Sequence, residues 1–355
     1  MTAMNKLATY QMTVLDQPFE LVTRDLPTPG TDEALIEVAG CGICHTDISF
    51  WHHGVPVRHE LPLTLGHEIS GTVVAGPPDL VGQSVIVPAV LACGDCALCT
   101  TGRSNICRRQ KMPGNDFHGG FASHVLAPAR YLATVNAAAL KNHSLAELAV
   151  IADAVSTPYQ VVQKSGLRAD DFAIIIGVGG IGTYACQIAQ SIGAKVLALD
   201  IAEERLEALN QVGITETLNI AKLDIRTAKG QVKERCKALG AAPHSWQIYE
   251  TSGTKAGQEL AFALLGYAAT LSIVGFTMDK LELRLSNLMA FDGKVIGTWG
   301  CRPELYPEVI QLVAEGKVQI KPFVETFPMS RINEVFADTL HHKFTKRSIL
   351  LPDFN

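Results

Sequence analysis

Four cysteines crowd one short stretch, Cys93-Gly-Asp-Cys96-Ala-Leu-Cys99 and then Cys107. Thiolates at this density complete a tetrahedral shell around one zinc ion and leave no position open, which is the chemistry of a structural metal. Disulfides or an iron–sulfur cluster are the other uses of clustered cysteines. The usual cluster spacings differ, and metal fits a reducing compartment better than disulfides do. A second set is dispersed: Cys41-Gly-Ile-Cys44-His45-Thr46-Asp47, then Gly66-His67-Glu68. Cys41 and Cys44 alone would suggest a redox pair, but no thioredoxin-like strand–helix pattern surrounds them. Cys44 and His67 are donors that a catalytic zinc uses while keeping a position free. Either residue by itself reads as a buried thiol or a core histidine. A cofactor site in the same chain shifts the balance toward metal.

That cofactor site is the stretch Phe172-Ala-Ile-Ile-Ile176-Gly177-Val-Gly179-Gly180-Ile181-Gly182, followed by Lys195-Val-Leu-Ala-Leu-Asp200. The apolar run predicts a strand buried on both faces, and Thr183–Ser191 predicts a helix. Gly177 allows a sharp turn, Gly179 a close approach of backbone to a pyrophosphate, and Gly182 close packing of helix on strand. The helix N-terminus offers free N–H groups to the phosphates. Asp200, at the end of the next strand, accepts hydrogen bonds from a ribose and repels a 2′-phosphate, which predicts NAD over NADP. Arg205 pulls the other way, because an arginine there can receive a phosphate.

The elements that must hold these groups are legible in outline. A chain of 355 residues, 47% hydrophobic and 18% charged, is long enough for two well-cored domains. Its formal charge of -5 gives no reason to expect nucleic acid or an acidic membrane as partner. Met1–Glu20 lacks a basic flank and apolar core, so no secretory leader is expected, and a cytoplasmic protein is. The apolar tract Leu260–Phe276 is interrupted by Gly266, Tyr267, Thr270 and Ser272 and reads as a helix end, a glycine stop and a buried strand rather than a membrane span. Ala34–Val38 and Ser84–Pro88 predict strands of a mostly β first part. Strands near 172–176, 195–199, 247–250, 270–275 and 294–297, alternating with helices, predict a doubly wound parallel sheet. Tyr306–Glu315 and Ile332–His341 predict helices, and Arg347–Leu351 a closing strand.

Together these motifs resemble the zinc-dependent medium-chain alcohol dehydrogenase family, in order and spacing over nearly the whole chain. The resemblance implies an α/β protein: a GroES-like, mostly β catalytic domain of residues 1–154 and 299–355, with a zinc lobe at 91–109, split around a Rossmann domain of residues 155–298. It implies two zinc ions, NAD, and interconversion of an alcohol and a carbonyl compound. Cys44 and His67 match the first two ligands of the catalytic zinc. The third is usually a cysteine, and Asp153 stands in its place; a carboxylate is acceptable to zinc. Glu68 matches a residue that can approach the metal and is the other candidate ligand. Asp47 matches the acid that orients the ligand histidine, and Thr46 the hydroxyl that bonds the substrate oxygen. The relay that often ends at a histidine meets Ser49 here, with His52 or His53 nearby. His45 and Arg347 match residues that reach the cofactor pyrophosphate, and Val274 lies in the strand end beside the nicotinamide.

The segments Val85–Val90, Gln110–Asp116 and Gly119–His124 narrow the resemblance. They are similar to those of family members that oxidise 6-hydroxycyclohex-1-ene-1-carbonyl-CoA in anaerobic aromatic degradation. That implies a small-molecule substrate carried as a CoA thioester, with Arg58, Arg108, Arg109 and Lys111 available to the CoA phosphates. A general alcohol or polyol dehydrogenase is the alternative, and a non-enzymatic zinc module a remote one. Relatives of this kind imply a homo-oligomer, dimer or tetramer.

Overall fold

Short apolar runs separated by Gly and Pro cannot sustain long helices, and the first part of the chain is accordingly built from strands. The structure, a computed structural model, describes residues 6–354. β1 (Lys6–Gln11) and β2 (Glu20–Asp25) form an antiparallel pair. β3 (Glu33–Gly42), β4 (Glu68–Ala75), β5 (Ser84–Val87), β6 (His124–Pro128) and β7 (Ala133–Thr134) belong to one sheet. β3 pairs antiparallel with β4, and two irregularities in register leave Cys41 opposite Ile69 and Gly42 opposite Glu68. β3 therefore ends two residues before Cys44, and β4 begins one residue after His67. Two neighbouring strand ends deliver the two segments side by side.

The middle of the chain changes to strand–helix alternation. β8 (Phe172–Ile176), β9 (Lys195–Asp200), β10 (Thr217–Asn219), β11 (Gln247–Glu250), β12 (Thr270–Ile273) and β13 (Lys294–Gly297) form a parallel sheet in the order β10-β9-β8-β11-β12-β13. This order reverses at β8, and ligands of such sheets bind beyond the carboxyl ends of the strands there. All five residues of β8 are buried, as its unbroken apolar run requires. The helix Gly182–Ile192 follows and stops at Gly193 in the left-handed region, φ 90°. The tract 260–276 contains the end of the helix Lys255–Ala263, a turn at Gly266 and then β12. No helix among the described residues is long and apolar enough to cross a membrane.

Two differences from the sequence expectation have physical causes. β10 was not anticipated: it is three residues long and only Leu218 of it is buried, so it carries no periodic signal. β12 ends at Ile273, because the N–H groups of both Val274 and Gly275 turn back to the Glu250 carbonyl.

The tail returns to the first sheet. β14 (Val324–Pro328) pairs parallel with β15 (Arg347–Leu351), and β15 pairs antiparallel with β3, Leu350 opposite Cys41. The chain thus divides into two compact units: Met1–Ser156 with Gly300–Gly316 and Val324–Asn355, and Thr157–Trp299 with Lys317–Phe323. Each has its own core, one around Ile36, Ile69, Phe121 and Phe336, the other around Ile174, Leu197, Val232 and Ile248.

Candidate active site

The segment after β3 turns into the helix His45–Trp51, with Cys44 as its N-cap. Asp47, fully buried, reaches back: one carboxylate oxygen accepts the Cys44 N–H at 2.9 Å, the other the Gly66 N–H at 3.1 Å. One side chain thereby fixes the segments that carry Cys44 and His67. His67 is buried, and its Nδ1 has no hydrogen-bond partner of good geometry; Asp47 Oδ1 faces it at 3.3 Å. That leaves Nε2 pointing at Asp153 Oδ2, 3.6 Å away, and Asp153 Oδ2 is also 3.6 Å from Cys44 Sγ. One donor atom from each of Cys44, His67 and Asp153 lies within 4.8 Å of the others.

The chemistry of this donor set fits a dication. Burial disfavours a charged His67 ring, yet Asp47, with help from Asp153 and Cys44, holds its proton affinity well above the usual histidine value. A thiol, an imidazole nitrogen and a carboxylate converge here, and their surroundings favour positive charge among them. Three protein donors are the number that zinc uses when it keeps a position for substrate. Thr46 Oγ1 lies 3.6 Å from Cys44 Sγ, beside the same point.

Glu68 is elsewhere engaged. Its carboxylate accepts the Ala154 N–H at 3.0 Å and receives Arg347 in a two-pronged ion pair, Nε to Oε2 at 3.0 Å and Nη2 to Oε1. Both residues are buried, and burial raises the Glu68 pKa against the pull of Arg347. Gly42 is required opposite it, since a Cβ there would overlap Glu68 Oε2. Sequence reasoning assigned Glu68 and Arg347 to separate tasks and missed this pair. It also missed Tyr306, whose buried hydroxyl bonds the Ala152 carbonyl, Ser156 Oγ at 3.3 Å and the Ala89 N–H at 3.2 Å, bracing the turn before Asp153. Ser49 donates to the His45 carbonyl, and His52 pairs with Asp16 at 2.6 Å. His45 is exposed at the start of its helix, its ring stacked on His342 with centroids 5.7 Å apart.

Cys93, Cys96, Cys99 and Cys107 form the second cluster, all four sulfurs within 4.8 Å of one another and four of the separations at 3.3–3.8 Å. A zinc tetrathiolate with bonds near 2.3 Å requires separations of about 3.8 Å. All nine cysteines are free thiols, so the disulfide alternative is not realised. A backbone N–H from Cys99 draws Cys96 down to about 6, and burial pushes Cys99 up to about 12.

In the second unit, Gly177 has φ 88°, and a Cβ on Gly182 would collide with the Gly177 carbonyl. Gly179, Gly180 and Ile181 are half-buried. Beside Gly179 only the Arg205 guanidinium comes near, so backbone there is open to a ligand. Asp200 is buried at the end of β9, its oxygens accepting the Val178 N–H at 2.7 Å and the Ala202 N–H at 2.9 Å. Val274 follows β12, anchored through its N–H to the Glu250 carbonyl at 3.0 Å.

Comparisons with known proteins agree with this architecture. Residues 30–137 match the family described as the alcohol dehydrogenase GroES-like domain, and residues 180–315 the family described as zinc-binding dehydrogenase. An alcohol dehydrogenase of Geobacillus stearothermophilus is 31% identical over 343 residues, 95% of this chain and 97% of that one. The L-galactonate-5-dehydrogenase of Escherichia coli (strain K12) is 26% identical over 338 residues, 93% of this chain and 95% of that one. The solved structure of AibC superposes with a TM-score of 0.88 at 24% identity, covering 99% of this chain and 97% of that one, a likeness of fold. With a GroES-like unit, a Rossmann unit and two metal-binding clusters in place, the chain belongs to the zinc-binding alcohol dehydrogenase family.

Proposed function

We propose that this chain is an NAD-dependent zinc dehydrogenase that oxidises an alcohol or polyol carbon to a carbonyl. The observation that carries the reading is the convergence of Cys44, His67 and Asp153 on one point. When bound, zinc polarises the substrate oxygen and NAD accepts hydride. The chain's own part is positioning. Asp47 holds the Cys44 and Gly66 segments and turns the His67 ring, Tyr306 fixes the turn before Asp153, and Arg347 keeps the Glu68 carboxylate charged underneath. Thr46 Oγ1 would accept the hydrogen bond of the substrate hydroxyl and hold that oxygen in place. His45 is exposed at the mouth of its helix, in keeping with its reading as a phosphate contact.

Asp200 supports NAD. A buried carboxylate whose two oxygens each keep a lone pair can bond a ribose and repels a 2′-phosphate. Asp200→Ala is expected to raise the KM for NAD about tenfold, the weight of one hydrogen bond to a charged group, and to abolish discrimination against NADP. Steady-state kinetics with both cofactors measures this, and a wild type that reduces NADP as well as NAD removes the assignment.

The substrate reading is tested by NAD reduction across short alcohols, a polyol acid, cyclohexenol and a cyclic allylic alcohol carried as its CoA thioester. Turnover of free alcohols is expected. The CoA-thioester reading rests on the resemblance of three segments. Of its four cations, Arg58 is paired with Asp116 at 3.2 Å and Arg109 with Asp95, which leaves Arg108 and Lys111. Turnover of the CoA ester with no free alcohol accepted would replace the general reading by that one. No NAD reduction by zinc-loaded protein on any of them would sink both.

We also expect a homo-oligomer. β13 is an edge strand of its sheet, and Val295, Leu285 and Met289 around it are 44%, 67% and 81% exposed. An apolar edge of this kind is a template for pairing, and a second copy of the same strand is its natural cover. Sedimentation velocity at micromolar protein should show no monomer; a single 38.2 kDa species excludes the pairing.

A further inference from the structure

A cavity of about 360 Å³ opens in the first unit, between the β1–β2 pair, β6 and the turn at 117–119. None of its lining residues is a zinc donor or a cofactor residue in the reading above. Its wall is apolar at Leu7, Phe117 and Leu126, and it carries two cations, Arg24 and Lys111. Three nearby cations of this unit are answered, Lys6 by Asp25 at 2.6 Å, Arg58 by Asp116 and Arg109 by Asp95. Among the described residues, neither Arg24 nor Lys111 has an ion-pair or side-chain hydrogen-bond partner. The two acids in the wall are already engaged, Asp25 with Lys6 and Glu33 with the Gly30 N–H at 3.0 Å.

His118 supplies a third polar group. The Thr64 N–H donates to its Nδ1 at 3.2 Å, which places the ring proton on Nε2 and makes that nitrogen a donor. Burial, reinforced by the charge of Arg24 and by His59, pushes the ring down to about 4, so it stays a neutral donor under working conditions. Two solvent-exposed cations without an ion-pair partner and a neutral N–H donor line the same cavity as an apolar wall, a combination that matches an anionic head on an apolar body.

We propose that this cavity is a second binding site, separate from the catalytic zinc, for a small organic anion whose carboxylate or phosphate head meets Arg24, Lys111 and His118 and whose carbon body lies on Leu7, Phe117 and Leu126. Benzoate and phenyl phosphate share the body and differ in the head, so they serve as probes. Titration calorimetry of the zinc-loaded enzyme, saturated with NAD, should show one equivalent of at least one probe bound. The probe that binds more tightly identifies the head. The double variant Arg24→Gln/Lys111→Gln should weaken binding by roughly tenfold or more, since each lost contact is a charge-assisted hydrogen bond. Arg24→Gln alone should leave alcohol oxidation unchanged, because Arg24 touches neither the catalytic groups nor the cations offered to CoA. His118→Asn keeps an acceptor for the Thr64 N–H and removes the Nε2 donor, and should weaken binding less. Absence of binding for both probes overturns the proposal. So does binding that is equally tight in the double variant, which places the anion elsewhere.

Discussion

Asp153→Asn is expected to empty the catalytic zinc site and to lower kcat/KM on the order of a hundredfold or more, while the four-cysteine ion stays bound. Asparagine keeps the shape of the side chain and its reach toward Cys44 Sγ and His67 Nε2, each 3.6 Å from Asp153 Oδ2. What it removes is charge. With Asp153, a dication meets two anionic donors and one neutral nitrogen; with asparagine it meets one anionic donor, and an amide N–H₂ competes for the same space. Glu68 cannot step in cheaply, because its carboxylate is committed to Arg347 and the Ala154 N–H. Metal analysis should therefore read one zinc per chain in the variant against two in the parent. Two zincs with full activity would transfer the third ligand to Glu68 or to water.

Arg347→Met should destabilise the protein by about 3–5 kcal/mol, the usual result of stranding one member of a buried ion pair. The Glu68 side chain is 0% exposed and that of Arg347 is 7% exposed. Without the guanidinium, Glu68 keeps the Ala154 N–H, at 3.0 Å, as its donor among the described residues. Such a loss approaches the whole stability margin of a domain and lowers the thermal midpoint by roughly ten degrees. Glu68→Gln in the Arg347→Met background removes the stranded charge, keeps an acceptor for Ala154, and should restore much of the midpoint. Arg347 also has a reading as a pyrophosphate contact, and the two roles separate experimentally. Weaker NAD binding with an unchanged midpoint would mean that the pair with Glu68 is not what Arg347 is for.

The parts of this molecule that could be read in advance are those whose signal is local. β8 and β9 are unbroken apolar runs, and the glycine turn lies between them in sequence, so strand, turn and acid could be placed without a structure. The cysteine cluster was legible for the same reason. β10 was not, with a single buried residue to show for itself. The catalytic donors were half legible: Cys44 and His67 by residue type, Asp153 by resemblance of its segment alone. Contacts between distant residues left no trace. Glu68 and Arg347 are 279 positions apart, and Tyr306 and Ala152 are 154 apart. Neither pair follows from periodicity or spacing, because the sheet and the tail must first form to bring them together. The cavity around Arg24 and His118 was invisible on the same grounds.

The cysteine lobe has a consequence for anyone who would alter this protein. In its α-helical turn, Ala97–Thr100, no residue is buried. Its order comes from four sulfurs meeting at a point and from bonds to its backbone, among them the Arg130 guanidinium donating to the Cys93 carbonyl at 2.9 Å. Some residues between the cysteines also carry shape, since Ser104 is buried and donates to Glu304 at 2.6 Å and a Cβ on Gly94 would run into Arg130, whereas the exposed turn carries little of it. That turn is accordingly a place where charge, bulk or an affinity handle can be varied while the spacing of the sulfurs is kept. The opposite holds at Gly42, where a single added methyl would displace the Glu68 carboxylate.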